Sequence, residues 1–158
     1  MVHRVGIIGL GTVGSRFVEQ FNNHREFDLV AAWDVDPAAC SFHEDSVNLC
    51  SGADEVIANS DLVYIAVPPR HHRGYVMSCI AANTAIFCEK PLGIDLVSSR
   101  ELVDAVTSSA LPAGVNFVFS AAPSAHELQR KIENAEFGDL TRVDLRLHFS
   151  RWPRVWHE

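Results

Sequence analysis

The chain has 158 residues and a formal net charge of −7, with 47% hydrophobic and 21% charged residues. That length and balance describe about one domain with enough apolar residues for a core, and exclude a disordered chain. The sequence has no basic stripe for nucleic acid or an anionic membrane, no apolar run of bilayer length, and no charged-then-apolar secretion pattern at its start.

Residues 4–8 predict a first strand and roughly 12–23 a first helix, with Val13, Phe17, Val18 and Phe21 on helical spacing. Between them stand three glycines in the pattern Gly9-x-Gly11-x-x-Gly14. Strand, glycine turn and helix in that order suit the pyrophosphate of a dinucleotide. Gly9 permits the tight turn, Gly11 a close approach of backbone to phosphate oxygens, and Gly14 close packing of helix on strand. An anion held along Gly9, Leu10, Gly11, Thr12, Val13 and Gly14 meets unpaired N–H groups and the positive end of the helix dipole. The plain alternative is an ordinary strand–helix turn.

Residues 29–33 are a continuous apolar run, as in a parallel strand buried on both faces, and end at Asp34. Asp36-Pro37 opens a short helix. Residues 47–50 read as a short third strand and 52–58 as a short helix. Residues 62–67 form a fourth strand, stopped by Pro68-Pro69 and followed by a helix over 73–82. The fifth strand, 85–88, leads into Glu89-Lys90-Pro91. Asp95 caps the next helix, which turns Leu102, Val103 and Val106 inward, and 113–119 is the sixth strand. Strands alternating with helices imply a doubly wound parallel sheet, an α/β Rossmann-type fold whose ligand edge lies at the carboxyl ends of the strands. Asp34, Val67, Pro68, Pro69, Glu89, Lys90 and Asn116 all fall near those ends.

After residue 120 the pattern changes. Ser124-x-x-Glu127 fits a capping box, Leu128, Ile132 and Ala135 share one helix face, and Gly138 ends that helix. Residues 141–149 alternate strictly, with Val143, Leu145, Leu147 and Phe149 on one side, which predicts a strand with one buried face. The expected organisation is a nucleotide-binding domain over 1–120 and, over 121–158, the incomplete beginning of an α+β open-sheet substrate domain. Through that sheet the complete protein is expected to form a homo-oligomer. Cys40, Cys50, Cys79 and Cys88 show no paired spacing and read as reduced thiols of a cytoplasmic protein.

The glycine motif, Asp34, Ala66-Val67-Pro68-Pro69-Arg70-His71-His72, Glu89-Lys90-Pro91-Leu92 and Gly114-Val115-Asn116 occur together in one order and spacing. In this the chain resembles, over essentially its whole length, the N-terminal half of the glucose–fructose oxidoreductase, inositol dehydrogenase and rhizopine-catabolism (Gfo/Idh/MocA) superfamily. The resemblance implies an NAD(P)-dependent oxidoreductase acting on a sugar, polyol or similar small molecule, with Lys90 near the nicotinamide and the reacting hydroxyl. The family's proton-transferring Asp-x-x-x-His pair comes from its second domain. This chain departs from many members in lacking an arginine just after the sixth strand, where Val118, Phe119 and Ser120 stand.

Each candidate has a plainer reading. Asp34 either caps the following helix or accepts hydrogen bonds from the adenosine hydroxyls. In the second role it repels a 2′-phosphate, and residues 35–39 offer no basic side chain to bind one, which favours NAD over NADP. Lys90 is a solvated lysine, or a cation that hydrogen-bonds the reacting oxygen. Glu89 pairs with a nearby base, or orients Lys90 or the nicotinamide ribose. His71 and His72 lie at adjacent positions with no acid or thiol at ligand spacing, so no metal site is expected; they read as helix-start or surface histidines, with His72 at the family position that holds the loop. Asn116 contacts nicotinamide or bonds backbone, and Trp152 and Trp156 line a sugar site or a core. The Lys90–Pro91 bond is cis or trans. Two further readings stay open: a non-catalytic nucleotide-binding or redox-sensing module, and an amino-acid or biliverdin-type reductase.

Overall fold

The computed structural model describes residues 1–146 and 148. Its core is a five-stranded parallel sheet in the order β2-β1-β3-β4-β5, with β1 His3–Ile8, β2 Phe27–Trp33, β3 Leu62–Ile65, β4 Ala85–Cys88 and β5 Ala113–Val115. The helices are α1 Thr12–Asn22, α2 Pro37–Ser41, α3 Ala53–Asn59, α4 His72–Ala81, α5 Leu96–Ser109 and α6 Pro123–Glu133. The chain divides into two compact units, the first being Met1–Phe117 and the second beginning at Val118.

Two apolar layers sandwich the sheet. Residues of α3, α4 and α5 (Val56, Ile57, Val76, Cys79 and Leu102) pack with Ile8, Val63, Ile65 and Ile86. On the opposite face, Val18 and Phe21 of α1 pack with Val5, Ile7, Leu29 and Tyr64. With one long helix there, an apolar cavity of about 560 Å³ opens beside Phe17, Phe21, Phe27, Leu62 and Phe87. It reaches Leu62 and Ala85, the first residues of β3 and β4, and so lies at the amino ends of the strands.

The local signals explain several boundaries. Asp36 caps α2 by accepting the Ala38 N–H at 2.9 Å, with Pro37 at the first helical position. Asp95 and Ser98 exchange side-chain and backbone hydrogen bonds in a capping box at the start of α5.

Several expectations differ from what is found. Of the strand expected over 113–119 only Ala113–Val115 is strand, because the chain turns there: the Phe117 N–H donates back to the Val115 carbonyl at 2.8 Å and Val118–Ala121 form a 3-10 turn. The strand expected over 62–67 ends at Ile65. Residues 47–50 make one parallel bridge, Ala32 to Leu49, rather than a strand, because the chain turns at once into α3, where Glu55 accepts the Ser51 N–H at 2.7 Å. Val103 is half exposed while Leu102 is buried; the inward stripe of α5 passes through Leu102 and the partly buried Val106. The expected Ser124–Glu127 capping box is not formed. Pro123 starts α6 with Ala122 as its N-cap, and Glu127 binds Arg130 instead. That helix ends at Glu133, with Ala135 and Gly138 in left-handed turns beyond it, and Leu128 and Ile132 are exposed. Of the strand expected over 141–149, residues 141–146 are not strand, since no described segment supplies a ladder partner; Leu147 and Phe149 lie outside the described residues, as do Trp152 and Trp156.

Candidate cofactor and active site

Gly9 leaves β1 with φ +98°, a conformation that disfavours any Cβ, and a Cβ there would also lie 2.6 Å from the Ala66 carbonyl oxygen. At Gly14, on the buried face of α1, a Cβ would overlap the Gly9 carbonyl oxygen. Gly11 differs: a Cβ built there meets nothing of the protein within 4 Å. Its open side is the space that a ligand at the turn would fill. Helix α1 has no side-chain cap, and among the described residues no hydrogen bond engages the N–H of Gly11, Thr12 or Val13. An exposed row of unpartnered donors on a helix N-terminus is a cradle for phosphate oxygens.

Asp34, at the carboxyl end of β2, is half-buried and does not cap α2. Its Oδ2 accepts the N–H of Leu10 at 2.6 Å and its Oδ1 the N–H of Asp36 at 2.8 Å. The carboxylate is thus built into the glycine turn, and each of its oxygens keeps a further lone pair.

On the far side of the sheet's carboxyl edge, three strands contribute one buried cluster. Tyr64 of β3 and the Asn116 side chain, one residue past β5, both donate to Oε1 of Glu89, the amide at 2.5 Å; Glu89 Oε2 accepts the Lys90 N–H at 3.2 Å. Burial, then the hydrogen bond to the Glu89 carboxylate, raises the Tyr64 pKa, so its phenol stays a donor. Glu89 therefore pairs with neutral donors and no base, and the Asn116 side-chain amide bonds side chains, while its main-chain N–H donates to the Cys88 carbonyl at 2.8 Å. The Lys90 side chain is exposed, and among the described residues it makes no ion pair. The Lys90–Pro91 bond is cis.

His72 is not a surface histidine. Fully buried at the start of α4, its Nε2 lies 2.8 Å from the Val67 carbonyl oxygen and its Nδ1 2.9 Å from that of Leu92. It ties the Val67-Pro68-Pro69 loop to the segment after Lys90. His71 is exposed and accepts a hydrogen bond from Arg70 Nε. No group of three or more metal-ligating side chains exists among the described residues, and no helix there is long and apolar enough to cross a membrane. All four cysteines are free thiols.

Sequence spacing marks Tyr64 only as a strand residue and does not single out Ser15 or His43, which lie against the glycine turn: Ser15 Oγ donates to the Leu10 carbonyl oxygen at 2.7 Å, and His43 Nε2 is 2.8 Å from Ser15 Oγ. The polar residue Tyr64 in an otherwise apolar strand, one strand before Glu89, was the available signal.

A parallel sheet with a glycine turn after its first strand, an acid after its second and open donors between them defines a dinucleotide-binding α/β domain. The chain belongs to the Gfo/Idh/MocA oxidoreductases: the model of that family, described as an oxidoreductase family with an NAD-binding Rossmann fold, matches residues 3–117. An inositol 2-dehydrogenase of Corynebacterium glutamicum is 28% identical over 87% of this chain and 43% of its own length. A trans-1,2-dihydrobenzene-1,2-diol dehydrogenase of Macaca fuscata fuscata is 26% identical over 98% of this chain and 49% of its own. The crystal structure of scyllo-inositol dehydrogenase from Lactobacillus casei with bound NAD(H) and scyllo-inositol superposes with a TM-score of 0.82 at 23% identity, over 88% of this chain and 43% of that one. The chain spans about half the length of these relatives.

Proposed function

We propose that this chain is the cofactor-binding half of an NAD-dependent dehydrogenase that oxidises a secondary alcohol of a sugar, polyol or related small molecule. The observation that carries the reading is the Leu10–Asp34 bond. It joins the open donor row of the glycine turn to a carboxylate suited to ribose hydroxyls, in a loop where Val35-Asp36-Pro37-Ala38-Ala39 supplies no cation for a 2′-phosphate.

In this reading Gly9 to Gly14 hold the pyrophosphate, Asp34 the adenosine ribose, and Val67, Pro68 and Pro69, braced by His72, wall the loop beside it. When bound, NAD supplies the hydride acceptor. Lys90 then donates a hydrogen bond to the reacting oxygen and stabilises the negative charge that builds there. Glu89, fixed by Tyr64 and Asn116, orients the Lys90 backbone. Residues 121–158 are read as the start of a substrate and oligomerisation domain, supported by the exposed Leu128, Ile132, Val143 and Leu145. This assigns the complete protein a homo-oligomeric state, a cytoplasmic location, and neither nucleic acid nor membrane as a partner. It also expects negligible turnover from this chain alone.

Titration with NADH, followed by nicotinamide fluorescence, tests the reading. Saturable binding to NADH with weaker binding to NADPH is expected. No change in fluorescence up to millimolar NADH would sink it, and brisk inositol oxidation by this chain would refute the proposed need for a second domain.

A further inference from the structure

We infer that His43 is a positioning residue for the anion-binding turn: through Ser15 it sets the plane of the Leu10–Gly11 peptide. The inference rests on the dinucleotide reading above. The Ser15 hydroxyl has one hydrogen and gives it to the Leu10 carbonyl at 2.7 Å. The contact of 2.8 Å between Ser15 Oγ and His43 Nε2 is then a hydrogen bond only if His43 donates, so its proton sits on Nε2. His43 is buried, and its own backbone is locked: its N–H donates to the Cys40 carbonyl at 2.8 Å and its carbonyl accepts from Ser46 at 2.9 Å.

A trans peptide is planar, with its C=O and N–H antiparallel. Holding the Leu10 carbonyl toward Ser15 therefore turns the Gly11 N–H the opposite way, and that N–H belongs to the open donor row. The Asp34 bond acts likewise on the preceding peptide. Drawing the Leu10 N–H toward Asp34 Oδ2 sends the Gly9 carbonyl the other way, toward Gly14, where its oxygen occupies the place of a Cβ. The segment 34–43 thus acts on Leu10 twice, directly at its N–H through Asp34 and indirectly at its C=O through the His43–Ser15 contact. Changes in that segment act on the pyrophosphate cradle as well as on the ribose it faces.

The test compares NADH affinity of the wild-type chain with His43→Leu, Ser15→Ala and His43→Gln, alongside thermal melts. His43→Leu and Ser15→Ala should each weaken NADH about five- to tenfold, the effect of losing one oriented hydrogen bond. His43→Gln, whose amide places a donor near the Nε2 position, should stay within about threefold of wild type. In the ligand-free chain, ring nitrogen NMR should show the His43 proton on Nε2, and the Gly11 amide signal should move in Ser15→Ala. Unchanged affinity in both deletion variants, or a His43→Gln variant as weak as His43→Leu, would overturn the positioning role. A wild-type chain that shows the Nε2 proton and the Gly11 shift but binds no NADH would overturn the dinucleotide reading and leave the strap itself standing.

Discussion

The carboxylate of Asp34 accepts the Leu10 N–H at 2.6 Å, so the acid at the end of β2 is a structural part of the glycine turn. Asp34→Ala should therefore do two things at once. It should reduce the preference for NADH over NADPH, by removing a charge that repels a 2′-phosphate, and weaken NADH about tenfold or more by freeing the turn. Asp34→Asn, with an oxygen still available to Leu10, should lose less NADH affinity than Asp34→Ala. Parallel titrations with both cofactors separate the effects; equal NADH affinities in the two variants would contradict the role in the turn.

The three glycines should fail in different ways. Gly9→Ala and Gly14→Ala push a Cβ against backbone carbonyl oxygens and should lower the melting temperature by about five to ten degrees, equivalent to roughly 2–3 kcal/mol. Gly11→Ala meets no protein atom and should melt near wild type while losing NADH binding. A strongly destabilised Gly11→Ala would contradict the open space at that position.

Tyr64→Phe leaves the buried Glu89 short of a donor and should cost about 1–3 kcal/mol in urea unfolding. Asn116 donates to the same oxygen, so Tyr64→Phe and Asn116→Ala should be non-additive, with a coupling of about 0.5–3 kcal/mol. Additive losses would show that the two donors act on Glu89 independently.

Burial pushes the thiols of Cys79 and Cys88 up to about 12, from an ordinary value of 9.0. Below the ordinary value both folded and unfolded chains keep these protons. Between 9 and about 12 only the unfolded chain releases them, so stability should fall as pH rises through that window. The raised Tyr64 adds to the loss in the same direction above its ordinary 10.0. Urea midpoints at mildly and strongly alkaline pH should show the decline, and a Cys79→Val, Cys88→Val chain should show less of it. At neutral pH a thiol reagent should modify half-buried Cys40 well before Cys79 or Cys88.

Much of the fold was legible because parallel strands buried on both faces leave uninterrupted apolar runs: 85–88 is found as read, and Leu29 to Trp33 lies wholly within β2. The glycine spacing and Asp34 were legible because backbone geometry restricts which residues stand there. What failed depended on contacts that sequence spacing does not carry. Ser124 and Glu127 have capping-box spacing, yet Pro123 also suits a first helical position, and Glu127 found Arg130. His72 sits at a helix start as read, but its depth follows from two loops folding over it. Tyr64, Glu89 and Asn116 are 25 and 27 residues apart in sequence and become neighbours only because β3, β4 and β5 are adjacent.

The open side of Gly11 bears on how this motif would be seen by selection. A library sorted by folding alone would reject side chains at positions 9 and 14 and accept them freely at 11, recovering a degenerate two-glycine signature. The middle glycine would reappear only under selection with ligand present. Its absence or presence in a variant pool would thus report which pressure that pool had experienced.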